Sequence, residues 1–245
     1  MVCVSAGTSL AQAQTLPAAT SSVLCTTNAG NVIDPIGCNT SNDRAQVSLS
    51  PAPALSASGD LPGGPAFIQA AANAQLSYSF AVLGGQAGDL VHLDITTLLH
   101  WATQGSSNSY AFTRVIVTTS LGEVTASICS LLCGSGTGVT DFYGDLHLDA
   151  LSGAIDTVAM DVSASAAVSQ NASSASAFAD PRISISPANP NASNYTLIFS
   201  DGVGNAVSAV PEPDAWILML AGCAAVGWRA RRRARQLAAG ASPGL

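Results

Sequence analysis

The chain contains no lysine: all 8 of its basic residues are arginine, and only Arg44, Arg114 and Arg182 stand before residue 211. That same stretch carries 13 acids, for a net charge of −10, whereas residues 211–245 hold 2 acids and 5 arginines, for a net +3. A body so poor in cations has no cluster with which to neutralise phosphates, and this excludes a nucleic-acid-binding function. Charged residues reach only 9% of the chain, against roughly 25% in an ordinary soluble domain. Small Ala, Ser, Thr, Gly and Asn fill the gap, a composition that suits a secreted, β-rich surface protein. Aromatics are scarce too, at 5%, which leaves few rings for an exposed stacking platform. The chain also lacks a Gly-x-Ser-x-Gly elbow, a His-Glu-x-x-His helix and a phosphate-binding Gly-rich loop, so it offers no familiar catalytic signature.

What is present is alternation. Hydrophobic residues make up 48% of the chain, too many for disorder throughout. They recur with period two: Leu76, Tyr78, Phe80 and Val82; Val91, Leu93 and Ile95; Val115 and Val117; Leu146 and Leu148; Val158, Met160 and Val162; Ile183 and Ile185; Tyr195, Leu197 and Phe199. Such runs, separated by Gly84-Gly85, Gly134 to Gly138, Asn189-Pro190 and Asp201-Gly202, predict antiparallel strands with one buried face. The expected fold is mainly β, an antiparallel β-sandwich of jelly-roll type over residues 66–205. Residues 14–65, rich in Pro, Ser, Ala and Asn, read as a loosely ordered N-terminal arm.

The two ends point to export. Ala11-Gln12-Ala13 has the small-x-small form of a signal-peptidase site, and residues 1–13 read as a signal peptide whose basic start lies upstream of Met1. Near the other end, Val210-Pro211-Glu212-Pro213 closes a stalk over 206–214. The two prolines keep Glu212 in an extended segment that a processing enzyme can grip. An apolar run of about 14 residues follows over 215–228, read as a transmembrane helix, and then a basic tail over 229–245 with Arg229, Arg231, Arg232, Arg233 and Arg235. Arginines resist translocation, so the tail is expected in the cytoplasm and the acidic body outside.

This succession of motif, apolar helix and arginine cluster resembles the PEP-CTERM sorting tail. The resemblance implies an exported protein of an exopolysaccharide-producing Gram-negative cell, with exosortase as processing partner. Its precursor would sit in the inner membrane and its mature form in the envelope or outside the cell. The stretch Asp180 to Asn205 resembles the final β-hairpin of many such proteins, whose last strand would close the sandwich.

An oxidising compartment bears on the cysteines. Of 6, Cys3 falls in the leader and Cys223 in the apolar run, leaving Cys25, Cys38, Cys129 and Cys133 for the body. Four cysteines allow three pairings; proximity favours Cys25 with Cys38 and Cys129 with Cys133. The spacing does not suit zinc, and no cofactor is expected.

Three groups of residues are weighed for chemistry. Asp145, His147 and Asp149 share one strand face, as do His92 and Asp94 on another strand; a metal can use such an arrangement, but a solvated face with the residues pointing to water is the favoured reading. Asp141, Asp156 and Asp161 add acids without a calcium-loop pattern. His100 beside Trp101 is weighed as a sugar-stacking point against a core tryptophan. The leading function is therefore a non-enzymatic envelope or extracellular-matrix protein associated with exopolysaccharide. A carbohydrate-binding module and a secreted hydrolase on the same scaffold stand as alternatives.

Overall fold

The computed structural model describes residues 14–27, 30–62, 68–105, 109–130, 138–168 and 172–205. The expected signal peptide over 1–13, the Val210 to Pro213 motif, the apolar run 215–228 and the arginine-rich end lie outside the described residues. Among the described residues there is no α-helix, and no helix is long and apolar enough to cross a membrane.

The described residues form thirteen strands: β1 (Thr20–Thr27), β2 (Gly30–Asp34), β3 (Gly37–Asn39), β4 (Asp43–Ser48), β5 (Ala54–Leu61), β6 (Ile68–Gly84), β7 (Leu90–Gln104), β8 (Tyr110–Thr119), β9 (Gly122–Cys129), β10 (Gly138–Leu151), β11 (Ile155–Val168), β12 (Ser173–Ile185) and β13 (Tyr195–Phe199). They make two antiparallel sheets that pack face to face as a sandwich. One runs β2-β1-β6-β11-β8-β9, with β13 also on β6; the other runs β10-β7-β12-β5-β4-β3.

The pairing follows a simple rule. The ribbon β5 to β8 doubles back at Ser120-Leu121, and β9 to β12 retrace it, so that β8 pairs with β9, β7 with β10, β6 with β11 and β5 with β12. Thr119 holds the turn. Its hydroxyl donates to the Asp149 carbonyl at 2.7 Å and accepts the Leu121 N–H at 3.2 Å. Both sheets arise by rolling this one hairpin up.

Period-two alternation decides which face each strand buries. Along β6, Leu76, Tyr78, Phe80 and Val82 point inward, meeting Val91, Leu93, Ile95 and Leu99 of β7 and Val115 and Val117 of β8. Each large aliphatic side chain so buried contributes roughly 2 kcal/mol. Alanines fill much of the rest, among them Ala72, Ala74, Ala164, Ala175, Ala177 and Ala179. Tyr195, Leu197 and Phe199 are only half-buried against this core, with the Phe199 ring 6.3 Å from those of both Tyr78 and Phe80.

Two expectations need correction. The described residues of 14–65 do not form a loose arm: β1 and β2 extend one sheet, and β3, β4 and β5 the other. Their inward positions, Val23, Cys25, Cys38, Ala45, Val47, Leu55 and Ala57, alternate as strictly as those of the later strands, but, Leu55 apart, with smaller side chains that leave a weak hydrophobic signal. Nor do β12 and β13 form a hairpin. β12 lies between β7 and β5, while β13 crosses to the opposite sheet and pairs with β6, Tyr195 against Gly84. Gly84 is required there, since a Cβ at its φ of 103° would collide with the Asn194 carbonyl.

Of the cysteines, Cys25 and Cys38 form a disulfide, Cα to Cα 6.1 Å, joining β1 of one sheet to β3 of the other. The second expected bond is absent at its described member. Cys129 is a half-buried free thiol, because Val124, Ala126 and Ile128 take the inward positions of β9 and turn it to the outer face; Cys133 lies outside the described residues.

One core position is anomalous. Asp43 of β4 is 2% exposed, and neither carboxylate oxygen has a hydrogen-bond partner. Burial pushes its pKa from 3.8 up to about 6. Relative to the unfolded chain, folding therefore gains from the protonated form over the charged one. That contribution is complete below about pH 3.8 and is lost as pH rises through about 6. Asp43→Asn is expected to raise the melting temperature above that pH and to flatten its dependence on pH, checked by thermal melts of both proteins between about pH 4 and pH 8.

Candidate functional site

Two outward sheet faces gather the polar side chains. On the first, β10 lies at the edge beside β7, and their register sets Asp149 opposite His92, His147 opposite Asp94, Asp145 opposite Thr96 and Asp141 opposite His100. All 3 histidines of the chain thus stand against an aspartate. The Nδ1 to Oδ1 distances are 2.5 Å for His92 and Asp149, 2.8 Å for His147 and Asp94, and 2.6 Å for His100 and Asp141. An ionised carboxylate only accepts, so each imidazole donates from Nδ1 and turns Nε2 elsewhere.

Neighbouring groups hold the ladder in place. Beyond the end of β12, the Asn189 amide takes over as a strand would, accepting the His92 N–H at 2.8 Å and donating to the His92 carbonyl at 2.7 Å. Ser184 donates to the Asp94 carbonyl at 3.3 Å. The depression between the first two rungs, bordered by Ser186 and Ala188, is open and about 480 Å³.

The strand parity read from the sequence holds, since Asp145, His147 and Asp149 do share a face with His92 and Asp94. The side chains, however, satisfy one another in pairs. No group of three or more potential metal-ligating side chains converges among the described residues. The remaining acids are dispersed: Asp156 points inward from β11, and Asp161 lies outward on the other sheet. Burial raises the Asp156 pKa, and the Ser120 N–H that donates to it at 3.3 Å partly reverses this. Trp101 is 7% exposed and belongs to the core, so it offers no stacking surface.

The second face was not singled out from the sequence. Across the outer side of the β1-β6-β11-β8 sheet runs a groove of about 300 Å³. Its floor is made of the small side chains of Ser77 and Ala159, which are neighbours in register, with Thr20 at one end and Ile116 at the other. Its wall is the next row over, Ser22, Gln75, Asp161 and Arg114, one residue from each strand. Asp161 is the centre of that wall: it accepts from the Asn73 amide at 3.0 Å and lies 3.6 Å from the Arg114 guanidinium. Arg114 is steadied from below by Phe112, its Cζ 5.7 Å from the ring centroid. Gln75, Arg114 and Asp161 are far apart in sequence, and only the order β6-β11-β8 brings them into one row.

No protein-family model matches the chain, and no curated protein sequence matches it.

The histidine ladder is solvent-exposed, with side-chain exposures of 76% for His147 and 29% for Asp94. Exposed pairs contribute little, so a double-mutant cycle of His147→Ala and Asp94→Ala is expected to return a coupling below about 1 kcal/mol, measured by urea denaturation near neutral pH.

Proposed function

We propose that the chain is an exported, non-enzymatic protein of the cell envelope or extracellular matrix, delivered by a PEP-CTERM-type signal and kept near exopolysaccharide. The observation that carries this reading is the order of Val210-Pro211-Glu212-Pro213, the apolar run Ala215 to Trp228, and Arg229, Arg231, Arg232, Arg233 and Arg235. In this proposal the run is a transmembrane helix that holds the precursor in the inner membrane with the arginines inside. Exosortase is the processing partner that releases the body.

The architecture supports a delivered, structural role. The retraced hairpin from β5 to β12, with its four ladder pairs shared between two sheets, supports reading the sandwich as a jelly roll, a scaffold suited to presenting broad outer faces. The Cys25 to Cys38 disulfide suits an oxidising compartment. The histidines of the ladder are engaged by aspartates rather than poised around a reacting atom. The groove on the opposite sheet favours a second, compatible reading, that of a carbohydrate-binding module.

Replacing Pro211, Glu212 and Pro213 with alanines preserves the apolar run and the arginines, so membrane insertion is expected to survive while processing fails. In a host with exosortase, mass spectrometry should find the wild-type body shortened near residue 213 and the triple variant full-length in the inner membrane. An intact C-terminus in both proteins would reduce the tail to a simple anchor.

A further inference from the structure

We propose that the groove over Ser77 and Ala159 binds a neutral polysaccharide chain through pairs of adjacent hydroxyl groups. This rests on the proposed extracellular setting only for the source of the glycan; the recognition is argued from the groove itself.

The shape selects an extended ligand. The groove crosses four strands, about 14 Å at the usual inter-strand spacing, and is open rather than enclosed, so a chain can lie across it without threading an end inward. Its volume of about 300 Å³ is at the small end of the range for ligand sites, room for a short run of sugar rings. A peptide fits poorly. The floor is a sheet face whose backbone donors and acceptors are spent in the β1, β6, β11 and β8 ladders, leaving none for strand addition.

The chemistry selects hydroxyls. Along one wall, a carboxylate and a guanidinium stand side by side at 3.6 Å, so one hydroxyl of a vicinal pair can donate to Asp161 while its neighbour accepts from Arg114. Gln75, exposed in the same row, supplies both a donor and an acceptor. At the β8 end, beside Arg114 on the same strand, Ile116 offers an apolar flank for the C–H face of a ring. The charges of Arg114 and Asp161 cancel, and the chain as a whole carries −7. A polyuronate would therefore meet Asp161 and a repelling body, whereas a neutral glycan meets neither cost.

The test is affinity electrophoresis of the full-length chain, in gels containing a dissolved neutral glucan, a neutral galactomannan or polygalacturonate. At least one neutral polymer should retard the wild-type protein and polygalacturonate should not. Ala159→Tyr, which plugs the floor at an exposed position, and Arg114→Met, which removes the cation, should each weaken retardation about tenfold or more. Glu123→Gln, on the same sheet outside the groove, should leave it unchanged, and thermal melts check that every variant is folded. The proposal is overturned if neither neutral polymer retards the wild type, if polygalacturonate does so more strongly, or if the plugged variant binds as well as wild type. Processing of the C-terminus is read separately on intact protein, so loss of glycan binding and loss of the sorting role are distinguished.

Discussion

Backbone pairing between the two arms of one long hairpin is the constraint on which the rest of this molecule depends. β6 and β11 match residue for residue from Ile68 against Val168 to Ala81 against Ile155, and β7 and β10 do the same from Leu90 against Leu151 to Thr103 against Gly138. Because side chains alternate strictly along a strand, a slip of one residue in either ladder would turn a buried row such as Leu76, Tyr78 and Phe80 toward water. The hydrophobic pattern and the register therefore enforce each other. Small inward residues make this workable: alanines on β6, β11 and β12 let the rolled ribbon close without bulky side chains competing for the space already filled by Leu55, Leu93 and Ile183.

Much of that pattern was visible in the chain alone. The seven alternating runs fall in β6, β7, β8, β10, β11, β12 and β13, and the outward parity of Asp145, His147 and Asp149 was correct. What escaped notice shares a physical cause. In β1 to β5 most buried positions, Leu55 and Leu61 apart, are held by Ala, Cys and Val among Ser, Thr and Gly, so the contrast between faces that reveals a strand is faint. Parity along one strand is a local property, whereas the identity of the neighbouring strand is not. That is why the aspartates and histidines were placed on faces but not matched into pairs, and why Gln75, Asp161 and Arg114 were not seen as one row. Trp101 illustrates the same limit, for its place beside His100 says nothing of the Gly138 backbone that lies under its ring.

The two outer faces divide the polar residues by kind. Beside β10 the polar side chains are numerous, exposed and hydrogen-bonded within rungs, which keeps an edge strand well hydrated and discourages it from recruiting another strand. On the other sheet the polar groups are fewer but converge on a trough with a floor of small residues. A hydroxyl-rich, lysine-free surface is thereby given one place where its hydrogen-bonding capacity is concentrated rather than spread.

The way the chain leaves the body has a mechanical meaning. After β13 it crosses between the sheets. The Gly204 N–H donates to the Leu49 carbonyl at 2.7 Å, and the Asn205 amide donates to the Ile183 carbonyl at 2.7 Å while accepting the Ile183 N–H at 3.3 Å. Upstream, Ser200 ties β13 to its surroundings: its hydroxyl donates to the Pro17 carbonyl at 2.6 Å and accepts the Ser79 N–H at 2.9 Å. A pull applied beyond residue 205 is consequently not borne by a single strand end. It is divided between Asn205 on one sheet and the five-residue β13 ladder on the other, so both halves of the sandwich share the load before either strand begins to peel.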